Sequence, residues 1–281
     1  MAKWRMIIDV EKCEDCNNCF LSCKDEHVDN DWPGYTLAQP RHGHRWMNIM
    51  RKERGSFPLI DVAYRPTPCM HCESAPCARA AKNGAVYKRE DGIVIIDPEK
   101  AAGQQELVKA CPYGAIFWNE EKKLPQKCTM CAHLLDQGWK TTRCAQACPT
   151  GALRVLALED EELKRMVEEE GLEPLHPEWK TQPGVYYKNL YRYDRCFVAG
   201  SVAVEKGGVT DCVKGATVTL GNGSGKVGEA VSDTFGDFKV DKLREDSGKY
   251  TLEIRHETLG RKTMEVEVKK SVNVGVIVLG S

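Results

Sequence analysis

The sequence predicts an α+β protein in two parts. Short helices and strands around clustered cysteines come first, and an all-β domain of sandwich or barrel type follows. Three observations carry this. Twelve of the fourteen cysteines lie before residue 150, most of them in tight groups. From about residue 196 the cysteine groups stop and apolar residues alternate with polar ones, as in half-buried strands. The chain has 281 residues with 40 basic and 41 acidic side chains, enough for two or three domains and with no charge excess to attract a polyanion.

The same reading bounds the setting. No apolar run approaches the roughly 18 residues of a membrane span. Met1 to Asp9 lacks the apolar core and cleavage site of a secretory signal, and no twin-arginine pair is present. A cytoplasmic chain with no membrane span and no nucleic-acid partner is expected. Fourteen cysteines in a reducing compartment then read as metal ligands rather than as a disulfide framework.

The first group, Cys13, Cys16, Cys19 and Cys23, has the spacing C-x2-C-x2-C-x3-C. That is the run of bacterial ferredoxins, in which three close cysteines wrap one [4Fe–4S] cubane and the fourth reaches a different one. Cys128, Cys131, Cys144 and Cys148, followed by Pro149, repeat it with a longer excursion before the third cysteine. Cys69, Cys72 and Cys77 form a third group, and Cys111 stands apart before Pro112.

Internal repeats account for the lone Cys111. Ile8-Asp9-Val10-Glu11-Lys12-Cys13 echoes Ile96-Asp97-Pro98-Glu99-Lys100-Ala101, which sets Ala101, Gln104 and Leu107 against Cys13, Cys16 and Cys19. Cys111 then matches Cys23. A second echo, Cys111-Pro112-Tyr113-Gly114-Ala115 with Cys148-Pro149-Thr150-Gly151-Ala152, extends to Asn83-Gly84-Ala85 and places Ala81 where a cysteine is due. Under the crossover rule, Ala81, Ala101, Gln104 and Leu107 together make one complete lost site. Twelve ligands remain, and three clusters are expected: Cys13, Cys16, Cys19 and Cys148; Cys23, Cys128, Cys131 and Cys144; Cys69, Cys72, Cys77 and Cys111. Zinc also binds paired cysteines, but it needs no crossover ligand and explains no coherent loss. Cys196 and Cys212 are left over and read as buried free thiols. His71, between Cys69 and Cys72, is either a tuner of its cluster or an ordinary loop residue.

The expected organisation is a ferredoxin-like domain over 1–157, a linking helix and extended arm over 158–195, and a β-domain over 196–281. The domain over 1–157 carries an insertion at 24–68, in which Trp46 to Arg51 and Leu59 to Tyr64 pair as a hairpin. The insertion serves either docking or cover of the clusters. Asp160 to Glu170 reads as a charged helix closed by Gly171. Tyr186, Tyr187, Tyr191 and Tyr193 in the arm read as packing residues. In the β-domain, strands are expected at Ala216–Leu220, Phe238–Val240, Tyr250–Arg255, Lys262–Val268 and Val272–Leu279, of transthyretin- or immunoglobulin-like type.

The chain resembles the ferredoxin-like subunits of the dimethyl sulfoxide reductase family of molybdopterin enzymes. The resemblance rests on Asp15-Cys16-Asn17-Asn18-Cys19, Trp32-Pro33-Gly34-Tyr35, Arg65-Pro66-Thr67-Pro68-Cys69-Met70-His71-Cys72, Lys127-Cys128-Thr129-Met130-Cys131-Ala132-His133 and Tyr186-Tyr187-Lys188-Asn189-Leu190-Tyr191-Arg192. It covers essentially the whole chain, and its C-terminal β-domain looks like that of the members acting on phenolic rings. The resemblance implies a large catalytic partner that carries molybdenum on two pterin guanine dinucleotides and binds the phenolic substrate. It implies hydroxyl transfer of the pyrogallol-to-phloroglucinol type, with this chain as a non-catalytic electron-transfer subunit of a heterodimer. Resorcinol hydroxylases and catechol dehydroxylases are the alternative within the family, and a free-standing polyferredoxin is the alternative outside it.

Overall fold

The computed structural model describes residues 1–280. The chain divides into two units: residues 1–51 with 64–190, and residues 52–63 with 191 onward.

The first unit is organised on the strand Lys3–Asp9. Met6, Ile7 and Ile8 are all buried, an unbroken apolar run of the kind a strand covered on both faces requires. Leu153–Leu158 pairs with it antiparallel on one side, and Val185–Lys188 pairs parallel on the other. The two-residue strand Glu173–Pro174 closes the edge, where a proline costs no ladder bond. The segment 172–190, expected as part of a linking arm, therefore belongs to this unit and supplies an inner strand. Its alternation spans only four residues between proline- and glycine-containing loops, too short to read as a period. Tyr187 is fully buried there and donates its hydroxyl to the Pro66 carbonyl at 2.9 Å.

Short helices hang from this sheet: Asn18–His27, Pro76–Ala80, Glu106–Ala110, Ala132–Asp136 and Arg143–Gln146. Two small hairpins, Val86–Lys88 with Val94–Ile96 and Phe117–Asn119 with Leu124–Gln126, separate them. The helix Asp160–Glu170 has the expected bounds. Glu159 and Glu162 form a reciprocal capping box at its start, three acidic residues favour its positive end, and Gly171 closes it in the left-handed region at φ 63°.

The second unit is a sandwich of two four-stranded sheets. In one, Cys196–Lys206 lies between Val272–Leu279, parallel to it, and the antiparallel strands Asp237–Leu243 and Val209–Cys212. The other runs Gly225–Val231, Thr217–Asn222, Gly248–His256, Gly260–Val268, all antiparallel. The inward residues interdigitate as a dry core that includes Val198, Val202, Val218, Leu220, Leu252 and Ile254. Cys196 is part of that core. Cys212, expected to be buried as well, is instead exposed on the edge strand Val209–Cys212. All four residues of that strand face solvent, so burial there has no second layer to supply it.

The outer half of the hairpin Asn48–Ser56 and Leu59–Thr67 also belongs to this unit. It delivers Arg54, whose guanidinium is 1 % exposed and is held between the carboxylates of Asp61 and Asp241. Arg192 adds a second cation to Asp61 at 2.7 Å. Burial pushes the Asp61 carboxyl up, but the two guanidinium groups outweigh it and hold it below its ordinary value. Replacing Arg54 by Met removes the cation nearest Asp241, leaving it Lys239 at 3.7 Å, and one of the cations on Asp61, and should destabilise this unit by about 2–4 kcal/mol, measured by chemical denaturation of both proteins. A carboxylate with a depressed folded pKa adds stability that is present above the unfolded value, about 4, and lost as pH falls through the folded one. The gap between wild type and Arg54→Met should therefore narrow below about pH 4.

Candidate iron–sulfur centres

The first C-x2-C step of each of the three cysteine groups has the same backbone shape. In each, the residue two places after the first cysteine occupies the left-handed region: Asp15 at φ 56°, His71 at 44° and Met130 at 55°. None is glycine, and such residues cost on the order of 1–2 kcal/mol there. The conformation turns the third residue's N–H toward the first cysteine's sulfur. His71 N donates to Cys69 Sγ at 3.4 Å and Met130 N to Cys128 Sγ at 3.3 Å. Asp15 N donates to Cys13 in the same way. An N–H aimed at sulfur favours the thiolate, the form that binds metal.

Nine of the twelve thiols are pushed up, and the cysteines that push them fall largely into three groups. Burial is the first cause of every shift. Cys19 is pushed up to about 12 by burial and then by Cys13, Cys148 and Cys16. Cys131 is pushed well up by burial and then by Cys144, Cys23 and Cys128. Cys72 reaches about 12 through burial and then Cys69, Cys111 and Cys77. Thiols so crowded and desolvated are poor acids on their own, and a positive centre among them is what would let them ionise. Among the described residues no three Cys, His, Asp or Glu side chains close on one point as a single ion requires. Cys69, Cys72, Cys77 and Cys111 jointly line a small enclosed cavity with Val94, Tyr113 and Lys127.

Neighbouring groups also act on one another electrostatically. Cys144 feels Cys19 of the first group, and Cys128 feels Cys69 of the third. The set of Cys23, Cys128, Cys131 and Cys144 therefore lies near both of the others.

The four cysteine-free positions lie beyond the third group. The helix Pro76–Ala80 carries Cys77 and ends at Ala81, and Glu106–Ala110 carries Leu107 and ends at Cys111. Gly103, two places after Ala101, holds the same left-handed φ, 76°, as Asp15, His71 and Met130. Ala101 and Leu107 are fully buried. The Gln104 amide fills the remaining role: its Oε1 accepts from Lys82 N at 2.9 Å, and its Nε2 donates to the carbonyls of Lys82 and Lys100, at 3.3 and 2.8 Å. Further echoes are geometric. Gly84, Gly114 and Gly151 have φ of 64°, 63° and 65°. Asp9 N bonds Ala152 O, and Asp97 N bonds Ala85 O, both at 2.8 Å.

Several contributors are invisible in the sequence. Thr142 Oγ1 contacts Cys144 Sγ at 3.1 Å, and Thr181 hydrogen-bonds Cys72. The segment 181–184 roofs the third group through Ser74 N to Thr181 O, Glu73 N to Gln182 O and Gly184 N to Met70 O. A Cβ on Gly184 would meet the His71 carbonyl at 3.2 Å, so glycine permits that close approach. Within the first-unit part of the insertion, Trp46 packs among Cys69, Cys128, Cys23 and Cys111. Trp32 stacks on His133 at 4.0 Å, and His133 Nε2 bonds Glu26 Oε1 at 2.9 Å. This part of the insertion covers the cysteine sets. His71 lies inside the first unit rather than at its surface. It is buried, its Nδ1 accepts from Val94 N at 3.1 Å, and burial first, then Lys127 and Lys88, push its pKa well down.

Comparison with known proteins agrees with this construction. Residues 60–158 match the family described as a 4Fe-4S dicluster domain. The chain is 52% identical over 282 aligned residues, 99% of its own length and 100% of the relative's, to the pyrogallol hydroxytransferase small subunit of Pelobacter acidigallici. It is 32% identical to a sulfite dehydrogenase subunit of Allochromatium vinosum, over 66% of this chain and 83% of that one. It is 27% identical to the iron-sulfur subunit of the arsenate respiratory reductase of a Shewanella species, over 65% and 94%. No helix of the described residues is long and apolar enough to cross a membrane. The chain belongs to the family of pyrogallol hydroxytransferase small subunits, among the iron–sulfur subunits that carry the 4Fe-4S dicluster domain.

Proposed function

We propose that the chain holds three [4Fe–4S] clusters and is the electron-transfer subunit of a heterodimeric molybdenum enzyme that moves hydroxyl groups on phenolic rings. The observation that carries the cluster reading is the gathering of twelve thiols into three fours. Cys13, Cys16, Cys19 and Cys148 would hold the first cluster. Cys23, Cys128, Cys131 and Cys144 would hold the second, and Cys69, Cys72, Cys77 and Cys111 the third. The clusters supply one-electron redox capacity at these sites. The chain's own part is to hold twelve thiolates, to aim backbone N–H groups at their sulfurs and to exclude water with Trp46 and the segment 181–184.

We further infer that the chain descends from a four-site plan. The shared φ of Gly103 and the three loop residues, and the matched bonds of Asp9 and Asp97, support this. Gln104 and its apolar neighbours would occupy the vacated site at the end of the row. A row shortened at one end suits a complex without a membrane partner.

The reaction class follows from kinship. A relative 52% identical over its full length bears the name pyrogallol hydroxytransferase small subunit. The molybdopterin, as two guanine dinucleotides, and the phenolic substrate would both sit on the large partner subunit, so no catalytic residue is assigned here. Fourteen cysteines with none paired in a disulfide suit a reducing, cytoplasmic compartment.

Anaerobically purified protein should carry about twelve irons per chain; a value near sixteen would overturn the vacated-site reading. Cys196→Ser and Cys212→Ser should leave iron unchanged, whereas Cys111→Ser should remove about four irons. The native complex, given pyrogallol and catalytic tetrahydroxybenzene without any electron acceptor, should accumulate phloroglucinol. Turnover only after an artificial acceptor or donor is added would make it a hydroxylase or dehydroxylase instead.

A further inference from the structure

Lys127 is 2 % exposed, and its Nζ donates to the carbonyls of Val94 and Cys128. Among the described residues no carboxylate lies within ion-pair distance of it. The other deeply buried cations are paired: Arg5 with Asp160, and Arg54 with Asp61 and Asp241. A buried ammonium without an anion is costly, so its anion has to come from elsewhere. Lys127 lines the cavity shared by Cys69, Cys72, Cys77 and Cys111. An ammonium has three N–H donors, and two are spent on carbonyls that fix its position, leaving the third. The partner it lacks is the negative charge of the thiolates around that cavity.

Resting on the cluster reading above, we propose that Lys127 is the built-in counter-cation of the site formed by Cys69, Cys72, Cys77 and Cys111, and that it raises the reduction potential there. A cubane on four thiolates is anionic in both redox states and gains one further negative charge when it takes up one electron. A fixed positive charge beside it favours the more negative, reduced state. Burial leaves that attraction weakly screened by salt. Lys127 also reaches Cys128 of the middle group, so a smaller effect extends to the second site.

The test is an anaerobic redox titration, followed by electron paramagnetic resonance, of the full chain with whatever subunit co-purifies. Lys127→Met keeps the stem and removes the charge; Lys127→Arg keeps the charge. The expected result is full iron content in both, one midpoint potential clearly lower in Lys127→Met with a lesser shift in a second, and values near wild type in Lys127→Arg. A packing role alone would lower iron content or melting temperature without moving the midpoint of an intact cluster. Full iron with all three midpoints unchanged in Lys127→Met overturns the proposal. If Lys127→Met sheds one cluster, Lys127→Arg decides: a wild-type midpoint upholds the proposal, and a lowered one overturns it. Failure of the cluster reading would be seen separately, in wild-type protein that lacks three dithionite-reducible clusters.

Discussion

A thiolate ligand has to be kept ionised while it is buried, and much of the first unit answers that constraint. Desolvation raises the pKa of Cys19, Cys72 and Cys131, and crowding by neighbouring cysteines raises it further. Backbone N–H groups pull the other way, and only certain backbone shapes can aim them. The left-handed residues Asp15, His71 and Met130 are that shape, repeated three times on chemically unrelated side chains. Strain of this size persists at non-glycine residues where the surroundings over-determine it. The helices that follow the loops are only four to ten residues long, and their role is to present the next cysteine rather than to build a bundle.

The same constraint accounts for what stands in the cysteine-free fourth position. A loop without thiols still carries backbone donors and acceptors that need partners once buried. Gln104 meets them with one side chain, accepting from Lys82 N and donating to two carbonyls. Ala101 and Leu107 fill the remaining space. Neither a smaller nor a purely apolar residue at 104 could satisfy the Lys82 amide and carbonyl together.

Much of this is legible in order along the chain. The cysteine spacing, the helix Asp160–Glu170 and five strands of the β-domain can be read from local pattern alone. Boundaries at strand ends differ by a few residues, as frayed ends do. The strands Cys196–Lys206, Val209–Cys212 and Gly225–Val231 leave no such trace. Cys196–Lys206 is buried on both faces over much of its length, and the other two face solvent almost throughout, so none alternates cleanly. Val185–Lys188 passes for part of an arm because four residues hold too little of a period. Cys212 passes for a buried thiol because residue type alone gives cysteine that preference, and only its place on an exposed edge reverses it.

The sequence by itself determined the ligand chemistry, because metal-binding spacing is set by covalent reach within a loop. It also determined kinship and the alternation that makes a sandwich. Tertiary structure alone decided that the set of Cys23, Cys128, Cys131 and Cys144 lies near both of the others, and that Val185–Lys188 completes the central sheet. It alone placed Thr181 against the Cys72 sulfur and Lys127 beside the cavity of the third group, its ammonium bonded to the Val94 carbonyl. These are contacts between segments far apart in the chain. Their identity depends on the path of the backbone, which no local pattern encodes.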